Sequence, residues 1–144
     1  MTKDSMTEDS TTKGTIAKDA VAAKVDSLAD GLKGVARNIF TYNEIAFQET
    51  RSSKALAQLL ETAGFDVVWG QGGMETAFVA KYGSGKPHIA LMGEYDALPE
   101  VGHACGHNMI GTMAAGAAVA LKESGALNGI EGTIFFVGCP AEEH

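Results

Sequence analysis

The chain has 144 residues, of which 45% are hydrophobic and 20% are charged, and its formal net charge is −7. These values suit a single globular domain, and an acidic chain without a Lys/Arg cluster is a poor match for nucleic acid or an anionic membrane. Two cysteines are too few for a disulfide framework. The N-terminus lacks the apolar core of a secretory signal and no later run suits a bilayer span, so we expect a cytoplasmic protein.

The first part of the chain divides into a polar stretch and an amphipathic one. Residues 1–18 are rich in Thr and Ser and mixed in charge, which predicts a disordered tail, with the domain beginning at residue 19. Apolar residues then recur at steps of four and three over residues 19–41, as on one face of a helix. The stripe is short for a coiled coil, so we expect the helix to dock on a core.

The next elements are a helix and two strands. After the loop YNEIAFQE, a leucine-rich periodicity predicts a second helix that Gly64 is placed to end. The segments FDVVW and TAFVAKY indicate strands joined across the glycine-bearing connection GQGGME.

The last third predicts a strand, a helix and a strand. HIALM and GTIFFVG are continuous apolar runs, typical of strands covered on both faces in a parallel sheet. Between them, the stretch 108–123 is rich in Ala and Gly, which favours a helix packed tightly on the sheet. We therefore predict the α/β class, with one right-handed crossover and a mostly parallel sheet.

Three polar clusters adjoin these elements. GEYDALP follows the first apolar strand, CPAEE follows the second, and HACGHN precedes the helix between them. All three are expected near the carboxyl ends of the parallel strands, the edge of an open α/β sheet at which ligands bind.

HACGHN offers a thiol and an imidazole at metal-ligand spacing. Cys105 and His107 are two apart, so in an extended segment they project to the same side and can reach one ion. Alternatively, Cys105 is inert and buried beside a helix-capping His107-Asn108 pair. His103 is open to three interpretations: direct ligand, orienting neighbour or plain loop residue.

The acidic residues of CPAEE and GEYDALP can likewise be interpreted as metal-site residues or as structural ones. Consecutive side chains in extended backbone point apart, so one of Glu142 and Glu143 can bind metal while the other faces water or substrate. A solvated acidic pair is the alternative. Asp96 can bind metal, orient a ligand imidazole or bond its own backbone in a turn, and Glu94 is given no firm role.

The remaining candidates have structural interpretations. Cys139 is expected to be a buried thiol at a strand end, and a disulfide with Cys105 is not expected in a reducing compartment. His88 is expected to be structural. A thiol redox protein is disfavoured because the chain has no CxxC motif.

Taken in order, the segments YNEIAFQETRSSKALAQLLETAGFDV, GEYDALPEVGHACGHNMIGT and GCPAEE resemble one family. It is the amidohydrolase branch of the aminoacylase/carboxypeptidase-type co-catalytic metallopeptidases, which includes p-aminobenzoyl-glutamate hydrolases, hippurate and auxin-conjugate hydrolases and related dipeptidases. The resemblance implies a three-layer α/β/α catalytic domain with a smaller inserted domain, often used for dimerisation. It also implies hydrolysis of an amide bond in N-acyl amino acids, aminobenzoyl-glutamate or dipeptide-like small molecules.

The same resemblance implies roles for individual residues. Cys105, His107 and Glu143 match metal ligands of a two-ion centre, and Glu142 matches the general base. Asp96 matches an Asp beside the site and is predicted, with Glu142, to be catalytic. Mixed sulfur, nitrogen and oxygen ligands suit Mn²⁺ or Zn²⁺, with Co²⁺ or Ni²⁺ also conceivable. The full-length form is expected to be a homodimer.

Three positions depart from the family pattern. The wider family has His at position 94, where Glu94 fits the amidohydrolase branch and not the parent group. Many relatives have Asp at position 108 and Gly is common at position 144, where this chain has Asn108 and His144.

Family members also continue well beyond PAEE. We therefore expect residues 19–144 to be the N-terminal part of an incomplete catalytic domain that binds metal weakly and is poorly active alone. The competing hypothesis is a non-catalytic metal-binding or interaction module that reuses the fold.

Overall fold

The apolar periodicities become three helices and four strands in a computed structural model that describes residues 4–129 and 131–144. The predicted elements are all present. In chain order they are α1 (Asp4–Tyr42), α2 (Thr50–Thr62), β1 (Asp66–Trp69), β2 (Phe78–Ser84), β3 (His88–Glu94), α3 (His107–Glu123) and β4 (Gly132–Cys139).

Helix α1 begins earlier than the periodicity predicts. It starts at Asp4, so residues 4–18, predicted to be a disordered tail, are helical, and residues 1–3 lie outside the described part of the chain. A physical reason is that this stretch has no proline, and a helix already nucleated downstream gains one hydrogen bond for each residue it adds. The placement of the domain boundary at residue 19 stays a prediction.

The four described strands form one mixed sheet in the order β1-β2-β4-β3. Strand β3 runs parallel to β4 with α3 as the crossover, which confirms the strand-helix-strand prediction and the α/β class. The mostly parallel sheet is a detail that was wrong, because β1 and β2 are antiparallel and β2 also pairs antiparallel with β4. A short connection between sequential neighbours, as between β1 and β2, forces the antiparallel direction.

The link 85–87 carries the chain from β2 to β3 past the start of β4. Gly83 has a φ of +87°, and a Cβ there would lie 2.5 Å from the carbonyl oxygen of Gly132. The Thr133 amide donates to the Pro87 carbonyl at 2.9 Å. Glycine at position 83 thus lets β4 enter the sheet between β2 and β3.

All three helices lie on one face of the sheet. Helices α2 and α3 pack against the strands, and α1 packs across α2 and α3. The core between these layers contains fully buried side chains from every part of the fold, among them Ile39, Leu56, Leu60, Phe78 and Phe136. The apolar stripe of α1 does dock on this core, through Ile39 and, in part, Leu28 and Val35.

The opposite face of the sheet is open within the described residues. Val68 is 58% exposed and Met92 is 65% exposed, and both alternate with core-facing neighbours along their strands. Residues 4–129 and 131–144 therefore build two layers, and the second helical layer of the expected α/β/α arrangement is not among them. No helix in this part of the chain has the length and apolar character to cross a membrane.

Helix α3 approaches β3 closely through a glycine. A Cβ on Gly111 would lie 2.5 Å from the carbonyl oxygen of Glu94 and 2.9 Å from a methyl group of Leu56. This contact sets the first turn of α3, which begins at His107, against the carboxyl end of β3.

Replacing Gly111 with Ala should lower the free energy of unfolding by about 1–3 kcal/mol, because the added methyl group overpacks the contact between α3 and β3. Urea denaturation measures the loss. Gly34→Ala in α1 is the matched control, because nothing lies within 4 Å of the added Cβ. Alanine there should stabilise the helix by up to about 1 kcal/mol. Equal stabilisation by the two substitutions would contradict the close approach of α3.

Candidate metal centre

Parallel pairing brings the three polar clusters to one edge of the sheet. Glu94 at the end of β3 is directly opposite Cys139 at the end of β4. The GEYDALP and CPAEE segments leave the sheet side by side at this point, and α3 begins beside them. The convergence predicted from the sequence is therefore present.

His107 lies at the centre of this edge and is buried. Its Nδ1 is 2.9 Å from Oδ1 of Asp96 and 3.1 Å from the Asp96 carbonyl oxygen. Both partners are acceptors, so Nδ1 carries the proton and donates it. In the neutral ring with this tautomer, the other nitrogen, Nε2, carries the lone pair with which histidine binds metal.

Three carboxylates lie close to Nε2 of His107. Nε2 of His107 is 3.5 Å from Glu94, 3.7 Å from Glu142 and 3.8 Å from Glu143. Ligand atoms of Glu94, His107 and Glu142 all lie within 4.8 Å of one another. Among the described ion pairs, none places a lysine or arginine on these carboxylates. Like charges at this spacing repel unless a cation lies between them, so the donor set fits a divalent ion.

Asp96 connects two of the loops. Its side chain is fully buried, and its second oxygen, Oδ2, accepts a hydrogen bond from the Glu143 amide at 3.2 Å. One carboxylate thus orients the imidazole of His107 and holds the backbone of the acidic loop. This is the arrangement in which an Asp fixes the direction of a ligand histidine.

Cys105 lies at the same edge, on the exposed side. The pKa of Cys105 is raised, mainly through a hydrogen-bonding effect of the Glu143 carboxylate. The negative charges of Glu143, Glu142 and Asp96 add to the effect. The thiol therefore lies near the same carboxylates, although Cys105 is not part of the close group formed by Glu94, His107 and Glu142. A cation that replaced the thiol proton would relieve the repulsion.

Comparisons with known proteins agree with this geometry. No family model matches the chain. It is 43% identical over 126 residues to a subunit of the p-aminobenzoyl-glutamate hydrolase of Escherichia coli (strain K12), an alignment that covers 76% of the chain and 26% of that protein. It is 33% identical over 137 residues to the Xaa-Arg dipeptidase of Homo sapiens, with 83% of the chain and 31% of the dipeptidase covered.

Solved structures of peptidases and aminohydrolases also resemble the chain. A Bacillus subtilis protein described as a dinuclear metal-binding peptidase from the M20 family superposes with a TM-score of 0.70 at 26% identity, over 82% of the chain and 36% of that structure. The chain belongs to the M20 amidohydrolase and peptidase family. A putative aminohydrolase from methicillin-resistant Staphylococcus aureus shares the fold, with a TM-score of 0.74 at 22% identity and 88% and 36% of the two chains covered.

The M20 chain spans about a quarter to a third of the length of its curated relatives. The family resemblance indicated by its motifs is confirmed, and so is the α/β class that it implied. The roles of Asp96, Cys105, His107, Glu142 and Glu143 stay predictions. Of these residues, His107 and Glu142 belong with Glu94 to the close group of ligand atoms, and Cys105 and Glu143 do not.

Other candidate residues lie outside the cluster. Nε2 of His103 is 3.1 Å from the Ile39 carbonyl oxygen, and Nδ1 is buried without a partner. Burial lowers the pKa of His103, with the nearby His107 contributing. Asn108 is buried and donates to the Ala36 carbonyl of α1. Cys139 is a free, half-buried thiol, and the exposed Cys105 is also free.

Two acidic residues of this M20 site were not assigned from the sequence. Glu94 was left without a role, although its position at a strand end placed it beside Asp96. Glu49 was not singled out at all, because a glutamate in the loop YNEIAFQE has the pattern of a solvated side chain. In the structure Glu49 is fully buried.

Replacing Glu143 with Gln should make Cys105 react faster with iodoacetamide. The carboxylate raises the pKa of the thiol, so its removal lowers that pKa and enlarges the thiolate fraction near pH 8. We expect a several-fold increase in the alkylation rate, followed by mass spectrometry of the Cys105 peptide.

Cys139 is the internal control, because burial is the main cause of its raised pKa and its rate should not change. An unchanged or slower reaction at Cys105 would show that the thiol does not face Glu143.

Proposed function

We propose that this chain carries metal ligands and the general base of a metal-dependent amide hydrolase site. The relatives that support the proposal are named p-aminobenzoyl-glutamate hydrolase and Xaa-Arg dipeptidase, and the substrates we propose are accordingly N-acyl amino acids, aminobenzoyl-glutamate and dipeptide-like amides. The single observation that carries the proposal is the buried His107, oriented by Asp96, with its free ring nitrogen facing three carboxylates.

The proposed ligands are His107, Cys105 and Glu143, with Glu94 as a candidate that the geometry adds. A divalent ion bound there would polarise an amide carbonyl and acidify water. The donor set of sulfur, nitrogen and oxygen is compatible with Mn²⁺ or Zn²⁺, and also with Co²⁺ or Ni²⁺. A dinuclear centre is proposed because a relative is described as a dinuclear metal-binding peptidase.

Glu142 is proposed as the general base. Its side chain is about half exposed, so it can reach a water and a substrate at the open side of the cluster. It would take a proton from the attacking water and deliver it to the leaving nitrogen, while Asp96 keeps the proton on Nδ1 of His107. Asp96 was predicted as catalytic, and its two contacts support a positioning role in the proposed reaction.

The donor set also bears on the activity of this chain alone. Two ions need at least four ligands each, and the cluster supplies few more than one ion requires. We propose that the isolated chain binds metal weakly and turns over slowly, and robust hydrolysis of p-aminobenzoyl-glutamate with added Mn²⁺ or Zn²⁺ would contradict this.

The proposal extends to the protein's setting. The net charge of −7 supports the absence of nucleic-acid and membrane partners. A cytoplasmic location is proposed as well, and the family resemblance supports the proposal of a homodimeric full-length form.

A pair of substitutions tests the roles of the two adjacent glutamates. In the full-length form, Glu142→Gln should keep the Mn²⁺ affinity within about threefold and lower hydrolysis by at least about 100-fold, because a general base contributes roughly 10²–10⁴-fold. Glu143→Gln should weaken Mn²⁺ binding instead. Isothermal titration calorimetry and release of p-aminobenzoate measure the two quantities.

The opposite result is informative because Glu142, and not Glu143, belongs to the tightest group of ligand atoms. Loss of Mn²⁺ binding in Glu142→Gln, with Glu143→Gln unaffected, would exchange the two roles. If neither substitution changes hydrolysis while both weaken metal binding, the site is structural and the catalytic proposal is wrong.

Asp96→Asn should weaken Mn²⁺ binding about 10- to 100-fold. The two carboxylate oxygens of Asp96 accept from two donors, Nδ1 of His107 and the Glu143 amide. In either orientation an asparagine turns its own N–H₂ group towards one of these donors. Calorimetry with the exposed Asp66→Asn as control checks this, and equal affinities in the two variants would refute the orienting role.

A further inference from the structure

A buried carboxylate links the loop before α2 to the loop that carries Glu142 and Glu143. Glu49 is fully buried, which is rare for glutamate and costly unless its oxygens are hydrogen-bonded. Its Oε1 accepts from the Phe47 amide and from the Ala141 amide, both at 2.9 Å. Its Oε2 accepts from the Thr76 hydroxyl at 2.9 Å.

The two amides bound by Oε1 belong to residues in an unfavourable backbone conformation. Phe47 has a φ of +62° and Ala141 a φ of +56°, in the left-handed region that side chains with a Cβ rarely occupy. Such a conformation persists only where the surrounding structure imposes it. A single carboxylate oxygen thus holds two strained residues at once, and one of them directly precedes Glu142.

The neighbours of Glu49 make it a rigid anchor. Thr76 uses its hydroxyl on Glu49 and its carbonyl on the hydroxyl of Tyr95, which donates at 2.7 Å. Tyr95 is fully buried, and burial, with a contribution from Glu49, raises its pKa far above the ordinary value, so it remains a donor. The anchor therefore rests on residues just before β2 and just after β3.

We propose that Glu49 is a positioning residue that sets the backbone of the loop 140–144 and, through it, the carboxylates of Glu142 and Glu143. The proposal rests on the proposed function of those two residues. A second contact joins the same pair of loops, because the ring of Phe47 packs edge-on against that of His144 at 5.3 Å between centroids. Asp96 holds this loop from one side through the Glu143 amide, and Glu49 holds it from the other.

The proposed role of Glu49 depends more on the length of its side chain than on its negative charge. Two substitutions separate the effects of length and charge. Glu49→Asp keeps the charge but shortens the side chain by one methylene, so one oxygen no longer bridges Phe47 and Ala141. Glu49→Gln keeps the length and one acceptor oxygen, while Thr76 can rotate its hydroxyl to accept from the amide. Glu44→Ala is the matched control: Glu44 lies in the same loop and accepts backbone amides of Arg51 and Ser52 at the start of α2, away from Ala141.

The experiment measures amide exchange at Ala141 and Glu143 by NMR, the Mn²⁺ dissociation constant by calorimetry and the thermal midpoint of unfolding. Glu49→Asp should speed exchange at both amides and weaken Mn²⁺ binding by about tenfold or more. Glu49→Gln should stay within about threefold of the wild type in both. Glu44→Ala should lower the thermal midpoint of unfolding and leave the amide exchange and the Mn²⁺ dissociation constant unchanged.

Two results would overturn the role of Glu49: unchanged exchange at Ala141 in Glu49→Asp, or equal damage by Glu49→Gln. A wild-type chain that binds no Mn²⁺ would instead overturn the proposed function, and exchange at Ala141 would still show whether Glu49 holds the loop.

Discussion

Parallel pairing of β3 with β4 is the constraint on which the rest of this structure depends. Two parallel neighbours require a long crossover, and here the crossover is α3. The pairing also places both strand ends, and the first turn of the helix, at one edge of the sheet. Every side chain of the candidate centre lies at this edge, so the position of the site is a consequence of the parallel pairing of β3 with β4.

Electrostatics then makes the edge suited to a cation. Burial removes His107 from water, and Asp96 keeps its proton on the far nitrogen. The near nitrogen is left with carboxylates as its neighbours, and the raised pKa of Cys105 reports the same concentration of negative charge from the thiol side. A fold that gathers acids in this way is stabilised by binding a divalent ion and destabilised when the acids remain unpaired.

Much of this was predictable because the deciding residues stand next to recognisable elements. Cys105, His107 and Asp96 adjoin a continuous apolar run and a helix rich in Ala and Gly, so their convergence could be inferred from the predicted strand-helix-strand crossover. Glu94 was harder to assign, because a glutamate at a strand end is as often solvated as it is a ligand. Glu49 could not be found, since its partners at positions 76 and 141 are distant in sequence and only the folded loops bring them together.

The sequence by itself determined the family, the α/β class, the crossover and the edge at which the polar residues meet, because these follow from local periodicity and from motifs with tight spacing. Only the tertiary structure decided that the described sheet is mixed, that its helices share one face, and that Glu49 joins two loops. Those features depend on contacts between segments far apart in the chain, which a pattern of neighbouring residues does not encode.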